Sequence, residues 1–247
     1  MSADQLRAEV GMMKLERLIA ERETVDDSPL PIPAKEIIAR YEKLYTGLVS
    51  DVLREFALLD QSAPGHIQAL QPGPVVAGFA FTVKSAPNVK VTGEMAYRAT
   101  MLETLQPDSF IMWDASGDEK ATLWGGVMTA TAIKMGVRAA CVDGGIRDTA
   151  QIQPTGFPIF HKYRSPNGSL GRCLITHYQI PIKIGDLVVK PGDLVVGDGD
   201  GVVVVPRALI VPVLERAEDM HAGEMKIFSW VEEGDSIAEI TAKGGYF

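Results

Sequence analysis

Cysteine is nearly absent: the 247 residues hold two, Cys141 and Cys173. Two thiols make no disulfide scaffold, and without a CxxC pair the chain writes neither a redox dithiol nor a cysteine zinc site. Cys141, in AACVDG, reads as a small core residue. Histidine is almost as sparse, with four residues and no HxH or HExxH spacing. His161 and His177 are therefore read as structural rather than as metal ligands. No apolar run reaches the roughly 20 residues that span a bilayer. The charged start, MSADQLRAEVGMMKLERLIAERE, lacks the apolar stretch of a signal peptide. A cytoplasmic protein with no membrane partner is expected. An excess of basic charge is missing too: 24 Lys and Arg stand against 32 Asp and Glu, a net charge of -8. That leaves no basic footprint for nucleic acid. An acidic protein that handles an acidic substrate must concentrate its cations locally, so single arginines carry weight.

What is present suits an ordinary globular protein, 46% apolar and 23% charged. The length admits one large domain or two small ones. Residues 11–23 have the pattern of a short amphipathic helix, and TVDDSPLPIP then breaks it. Residues 1–33 are read as an arm and residues 34–247 as one α/β body. Apolar residues from Ile37 to Leu53 recur at helical spacing, predicting a helix over 34–57 with a break near Thr46-Gly47. VVAGFAFTVKSA predicts a strand, MAYRATMLETL a helix, SFIMWDAS a strand ending in Asp114, and ATLWGGVMTATAIKMG a helix entered through Gly125-Gly126 and closed by Gly136. VRAACVDG predicts the next strand, with a helix from about Asp148 and a strand in FPIFHKY. This alternation points to an α/β core. YQIPIKIGDLVVKPGDLVVGDGDGVVVVP then changes to short β runs, read as a small barrel or a compact second sheet. Its two GDLVV copies read as similar turns. The last long segment, from Arg207, is mainly helical with an interruption expected at Pro212.

The chemistry concentrates in WGGVMTATA and VDGGIRD. Glycines let backbone amides approach a ligand closely, and the first turn of a helix favours an anion. Arg147 offers a planar bidentate grip on a carboxylate. Asp148 offers oxygen to a hard cation such as Mg2+. Together they suit a 2-oxo acid. The bland readings stay open: glycines that only serve turns, and Arg147-Asp148 as a surface ion pair or helix cap. GDGDG, residues 197–201, lacks the spacing and terminal glutamate of an EF-hand and is read as a tight β turn. Asp143 either orients Arg147 or caps a loop. Thr46 and Asp51 either reach the pocket or serve the first long helix, and Arg172 is a candidate for a second carboxylate.

The stretch WGGVMTATAIKMGVRAACVDGGIRD resembles the signature of the RraA-like proteins and the 4-hydroxy-4-methyl-2-oxoglutarate aldolases: a glycine, twenty residues, then Arg-Asp. Gly126 and Arg147-Asp148 match that spacing, and GDLVVGDGDGVVVVP downstream is similar as well. The resemblance covers roughly residues 34–234. It implies a compact layered α/β/β/α body like the swivelling phosphohistidine domain with a C-terminal helical region. It also implies a homotrimer or homohexamer with sites between subunits.

In the aldolase branch it implies that Arg147 binds the pyruvate-like carboxylate and steadies the enolate. Asp148 would hold Mg2+ or Mn2+, and the backbone of Gly125, Gly126, Val127 and Met128 would complete the anion pocket. A glutamate from a neighbour's C-terminal helical region would help arrange water at the metal, with Glu224 the nearest match and Glu218 the competitor. Two positions depart from the aldolase pattern, where acidic residues are common: Gly126 and Gln151. The implied activity is cleavage of a 4-hydroxy-2-oxo acid to pyruvate, decarboxylation of oxaloacetate, or both. The alternative is a regulator that binds RNA-processing machinery without catalysis.

Overall fold

The computed structural model describes residues 14–245. Part of the predicted first helix, residues 11–13, lies outside them. The rest is α1 (Glu16–Arg22), which buries no residue. The described residues before Ala34 meet the rest of the chain through their backbone and through packing: Lys190 Nζ donates to Ala20 O at 3.2 Å, Arg207 Nη2 to Ser28 O at 2.7 Å, and Leu30 and Ile32 pack against the core.

The long helix expected over 34–57 is two helices, α2 (Ala34–Tyr41) and α3 (Thr46–Glu55). The break falls at residues 42–45, slightly before the expected point, and a distant side chain fixes it. Asp198 Oδ2 accepts from Thr46 N at 2.8 Å, and Asp198 Oδ1 accepts from Thr46 Oγ1 at 2.7 Å. An aspartate from the far end of the chain thus satisfies a helix start that has no side-chain cap of its own.

The next elements follow the predicted alternation: β1 (Gln68–Ala69), β2 (Val76–Pro87), α4 (Glu94–Glu103), β3 (Ser109–Asp114), β4 (Thr122–Trp124), α5 (Gly126–Lys134), β5 (Ala139–Ile146), α6 (Thr149–Ile152) and β6 (Ile159–Arg164). Gly136, at φ 75°, closes α5 as expected. Then come β7 (Cys173–Tyr178), β8 (Ile182–Ile184), β9 (Leu187–Val189), β10 (Leu194–Asp198), β11 (Gly201–Val205), α7 (Ile210–Glu232) and α8 (Ile237–Ala242). Pro212 does not interrupt α7. It sits in the first turn, where its missing N–H has no intrahelical acceptor to lose.

One sheet runs β1-β6-β5-β3-β2-β10-β11, with β4 also on β5 and β7 also on β2. The segment expected to form a separate small sheet is therefore divided. Only β8 and β9 pair with each other alone, while β10 joins β2 antiparallel, Val195 opposite Gly78. GDGDG is the predicted tight turn between β10 and β11, with Asp198 opposite Gly201. The two GDLVV copies both turn on a left-handed glycine, Gly185 at φ 60° and Gly192 at φ 85°.

Alternation along the strands sorts the core into layers. Ile111, Trp113, Ala140 and Val142 face α4 and α5, and Leu194, Val196, Val203 and Val205 face α2, α3 and α7. The opposite faces, with Phe110, Met112, Cys141, Phe160, Val195 and Val204, share an interior that the β8-β9 hairpin enters. The sheet curls until β10 lies across from β6: a Cβ on Gly197 would stand 2.6 Å from Phe160 Cζ. Residues 61–63 bond to β11, through Ala63 N to Val202 O and Val204 N to Gln61 O, both at 2.8 Å. A few residues on, β1 pairs with β6. One short segment thus touches both margins of the sheet. The result is the expected α/β/β/α body, with helices outside a barrel-like sheet.

Candidate functional site

Parallel pairing of β4 with β5 brings together residues 22 and 23 positions apart. Trp124 stands opposite Ile146, and Arg147 N donates to Trp124 O at 3.0 Å. Gly125-Gly126 therefore lie beside Arg147-Asp148. Asp148 adopts the left-handed conformation, φ 59° and ψ 30°, tolerable for a short polar side chain. Its Oδ2 accepts from Gly126 N at 3.0 Å and stands 3.6 Å from Arg147 Nε. Asp148 thus takes one free amide of α5, while the amides of Val127 and Met128 have no intrahelical acceptor by position.

The two glycine pairs serve different ends. A Cβ on Gly125 would lie 2.7 Å from Asp148 Oδ2, and one on Gly126 would lie 2.9 Å from Gln151 Oε1. The two departures from the aldolase pattern are thus spatial neighbours, and the Gln151 amide fills the space beside Gly126. Gly144 and Gly145 were expected after a strand, near a ligand. They lie inside β5 instead. A Cβ on Gly145 would meet Tyr163 Cε2 at 2.5 Å and Ala121 O at 2.7 Å, where the Tyr163 hydroxyl donates to that carbonyl at 2.8 Å. This pair is a packing requirement.

Arg147, Asp148, Gly125, Gly126, Val127 and Met128 all border one cavity of about 440 Å³. Arg172 borders it too, donating through Nη1 to Gly168 O at 3.0 Å. A third arginine in the wall, Arg98, was missed. It is buried and fully engaged: Nη2 donates to Glu94 Oε1 at 2.7 Å and Ser169 Oγ at 3.1 Å, Nη1 to Leu123 O at 3.1 Å. Its guanidinium also lies 5.7 Å from the Trp113 ring centroid. The Glu94-Arg98 spacing announces an i,i+4 pair, but only the fold shows that it is buried.

Other candidates lie elsewhere. Glu224 is on α7, outside the lining of this cavity, and accepts from Tyr45 Oη at 2.5 Å. Glu218 is gripped by Arg40 through two hydrogen bonds, which hold its carboxyl below the usual carboxylate range. Asp143 pairs with His66 Nε2 at 3.0 Å. Thr46 is buried in its link to Asp198, and Asp51 pairs with Arg54 at 3.2 Å. His161 Nδ1 lies 3.1 Å from Gln68 O, and burial with Arg164 nearby lowers its pKa. His177 stands opposite Lys84 in the β2-β7 ladder.

The donor set discriminates among metals. Among the described residues no group of three His, Cys, Asp or Glu side chains could hold an ion, so the multidentate set of a zinc site is not formed within one chain. Among the described residues Asp148 is the only carboxylate bordering the cavity, and none of them makes a hydrogen bond to its Oδ1. One carboxylate with substrate oxygens is the donor set of Mg2+ or Mn2+, which keep much of their water.

Comparison with known proteins adds three relatives. A crystal structure presented as that of novel cellulases from microbes associated with the gut ecosystem is 60% identical. It covers 89% of this chain and 99% of its own, with TM-score 0.85. Streptomyces coelicolor RraAS2, presented as an unusual member of the RNase ES inhibitor RraA protein family, is 27% identical. The match covers 81% of this chain and 98% of that one, with TM-score 0.70. Protein DlpA of Legionella pneumophila subsp. pneumophila is 25% identical over 70% of this chain, which spans only 28% of DlpA. The family described as RraA-like, Aldolase/RraA, matches residues 46–204. That range takes in β2 to β11 with the whole of the Arg147 cavity, and the chain belongs to the RraA-like family.

Proposed function

We propose that the protein is a divalent-metal-dependent carbon–carbon lyase that releases pyruvate from a 4-hydroxy-2-oxo acid, from oxaloacetate, or from both. The observation that carries this reading is the meeting of Arg147, Asp148 and the first turn of α5 at one cavity. Arg147 binds the substrate 1-carboxylate, with the amides of Val127 and Met128 beside it. Asp148 holds Mg2+ or Mn2+, which when bound supplies Lewis acidity at the 2-oxo oxygen. In aldol cleavage the 4-hydroxyl gives its proton to water, the C3–C4 bond breaks to release a carbonyl product, its electron pair becomes the pyruvate enolate, and C3 then takes a proton from water to give pyruvate. In decarboxylation the same enolate forms as CO2 leaves, with no hydroxyl proton to remove. Arg147, half-exposed and 3.6 Å from Asp148, stabilises the charge as it develops. With Gly126 and Gln151 where acids are common, decarboxylation asks less of this chain's own residues.

The 60%-identical relative is presented as a cellulase. Glycoside hydrolysis uses two carboxyl groups across the scissile bond, whereas the described residues around this cavity supply one, Asp148. The donor set therefore favours keto-acid chemistry over hydrolysis of a glycan.

The test is pyruvate release by the purified protein from 4-hydroxy-4-methyl-2-oxoglutarate, other 4-hydroxy-2-oxo acids and oxaloacetate. Activity is expected to vanish with a chelator and return with Mg2+ or Mn2+. Arg147→Ala should lower kcat/KM by about 10²–10³-fold, the scale of losing one preorganised charge-stabilising donor. Turnover untouched by Arg147→Ala would exclude this mechanism. A protein that makes no pyruvate but forms a metal-independent complex with RNA-processing machinery would be a regulator instead.

A further inference from the structure

The cavity has two chemically distinct ends, and the keto-acid reading uses one. Besides Arg147 and Asp148, the lining includes α4, whose Met95, Ala99 and Leu102 all border the cavity. Their i, i+4, i+7 spacing places them on one helix face. That helix buries the charged Glu94 and Arg98 beside Met101, while Met95 is 59% exposed. Val127, 80% exposed, and Leu170 continue the apolar wall. Arg98 adds no free charge at this end, since Glu94, Ser169 and Leu123 O take its guanidinium; Arg172, also in the lining, bonds to Gly168 O, and a Cβ on Gly168 would lie 3.1 Å from Arg147 Nη1, so its charge belongs to the head-group end. At about 440 Å³ the cavity is of small-molecule size, with room beyond a three-carbon head group.

Resting on the keto-acid reading, we infer that the substrate is amphipathic. Its 2-oxo acid head lies at Arg147 and Asp148, and an uncharged alkyl or aryl substituent lies along Met95, Ala99 and Leu102. The substrate class is then a 4-substituted 4-hydroxy-2-oxo acid with one carboxylate, whose cleavage yields pyruvate and an apolar aldehyde or ketone. A second carboxylate at the far end would lose its hydration against this wall.

Binding to the full-length protein with Mg2+ tests the idea without requiring turnover. The probes are 2-oxobutanoate, 2-oxohexanoate and 2-oxooctanoate, with 2-oxoglutarate as the dicarboxylate, measured by titration calorimetry. Butanoate, hexanoate and octanoate, which lack the keto group, form a matched series. Affinity should rise along the 2-oxo series by up to about fourfold per methylene, the value of a fully buried CH2. 2-Oxohexanoate should outcompete 2-oxoglutarate. Ala99→Trp, on an exposed position of α4, fills the apolar end and should abolish the rise with chain length.

A flat 2-oxo series, tighter binding of 2-oxoglutarate, or a rise that survives Ala99→Trp overturns the inference and leaves the keto-acid reading standing. A rise of equal size and equal affinity in both series supports the apolar end and overturns the keto-acid head instead. No binding in either series overturns both.

Discussion

Asp193 shows how a single carboxylate makes stability depend on pH. It lies in the second GDLVV turn, where its two oxygens accept from Lys190 N at 2.8 Å and Arg207 N at 2.9 Å. Burial outweighs those bonds and pushes its carboxyl up to about 6. A folded-state pKa above the unfolded value near 3.9 means that the folded chain holds the proton longer. The stabilisation is full below the unfolded value and is lost as pH rises through about 6. Asp193→Asn removes the titration. The stability of wild type relative to this variant should therefore fall by up to about 2–3 kcal/mol between pH 4 and pH 7, measured by urea unfolding at each pH. A difference independent of pH would remove Asp193 as its source. At this scale the sequence was legible only where a residue type has one dominant use. The Arg147-Asp148 pair stood out by spacing. The burial of Arg98 did not, because it depends on Trp113 and Ser169 arriving from the fold.

Among elements, α3 depends on a residue that its own sequence does not contain. Asp198 receives both the amide and hydroxyl of Thr46, and also accepts from Asp200 N at 2.9 Å within the β10-β11 turn. Asp198→Ala should cost about 1–2 kcal/mol, as for loss of a helix cap, read as a lowered urea midpoint with unchanged slope. A midpoint equal to wild type would show that water replaces the aspartate. This link also explains why the helix break escaped the apolar periodicity, which is nearly continuous across residues 42–45. Strand existence was legible from β-branched runs, but strand partners were not. Val-rich β10 and β11 carry the same alternation whether they form their own sheet or extend another. Gly144 and Gly145 misled for a similar reason: a glycine needed by a neighbouring tyrosine ring looks the same as one needed by a ligand.

For the whole molecule, the second half of α7 is the telling feature. Its first half buries Ile210, Val213, Leu214, Ala217 and Met220, whereas Met225, Phe228 and Val231 are exposed. Phe228 alone is 61% exposed. Contact between copies of the chain would cover this stripe, in line with the homo-oligomer implied by the family resemblance. It would also bring Glu224 near another subunit. Phe228→Asp should lower the solution mass measured by light scattering while leaving the circular dichroism spectrum intact. A mass unchanged from wild type would place the interface elsewhere. No described helix is long and apolar enough to cross a membrane.

The antiparallel seam between β2 and β10 joins an early stretch of polypeptide to one translated much later. During synthesis, the β2 margin that β10 will occupy stays open until Leu194 and the residues after it have been made. Unpaired strand margins recruit other chains, so a nascent fragment that stops before Leu194 should be far more prone to clump than the finished protein. The ribosome closes this part of the barrel only with β10 and β11, long after β2 has been made.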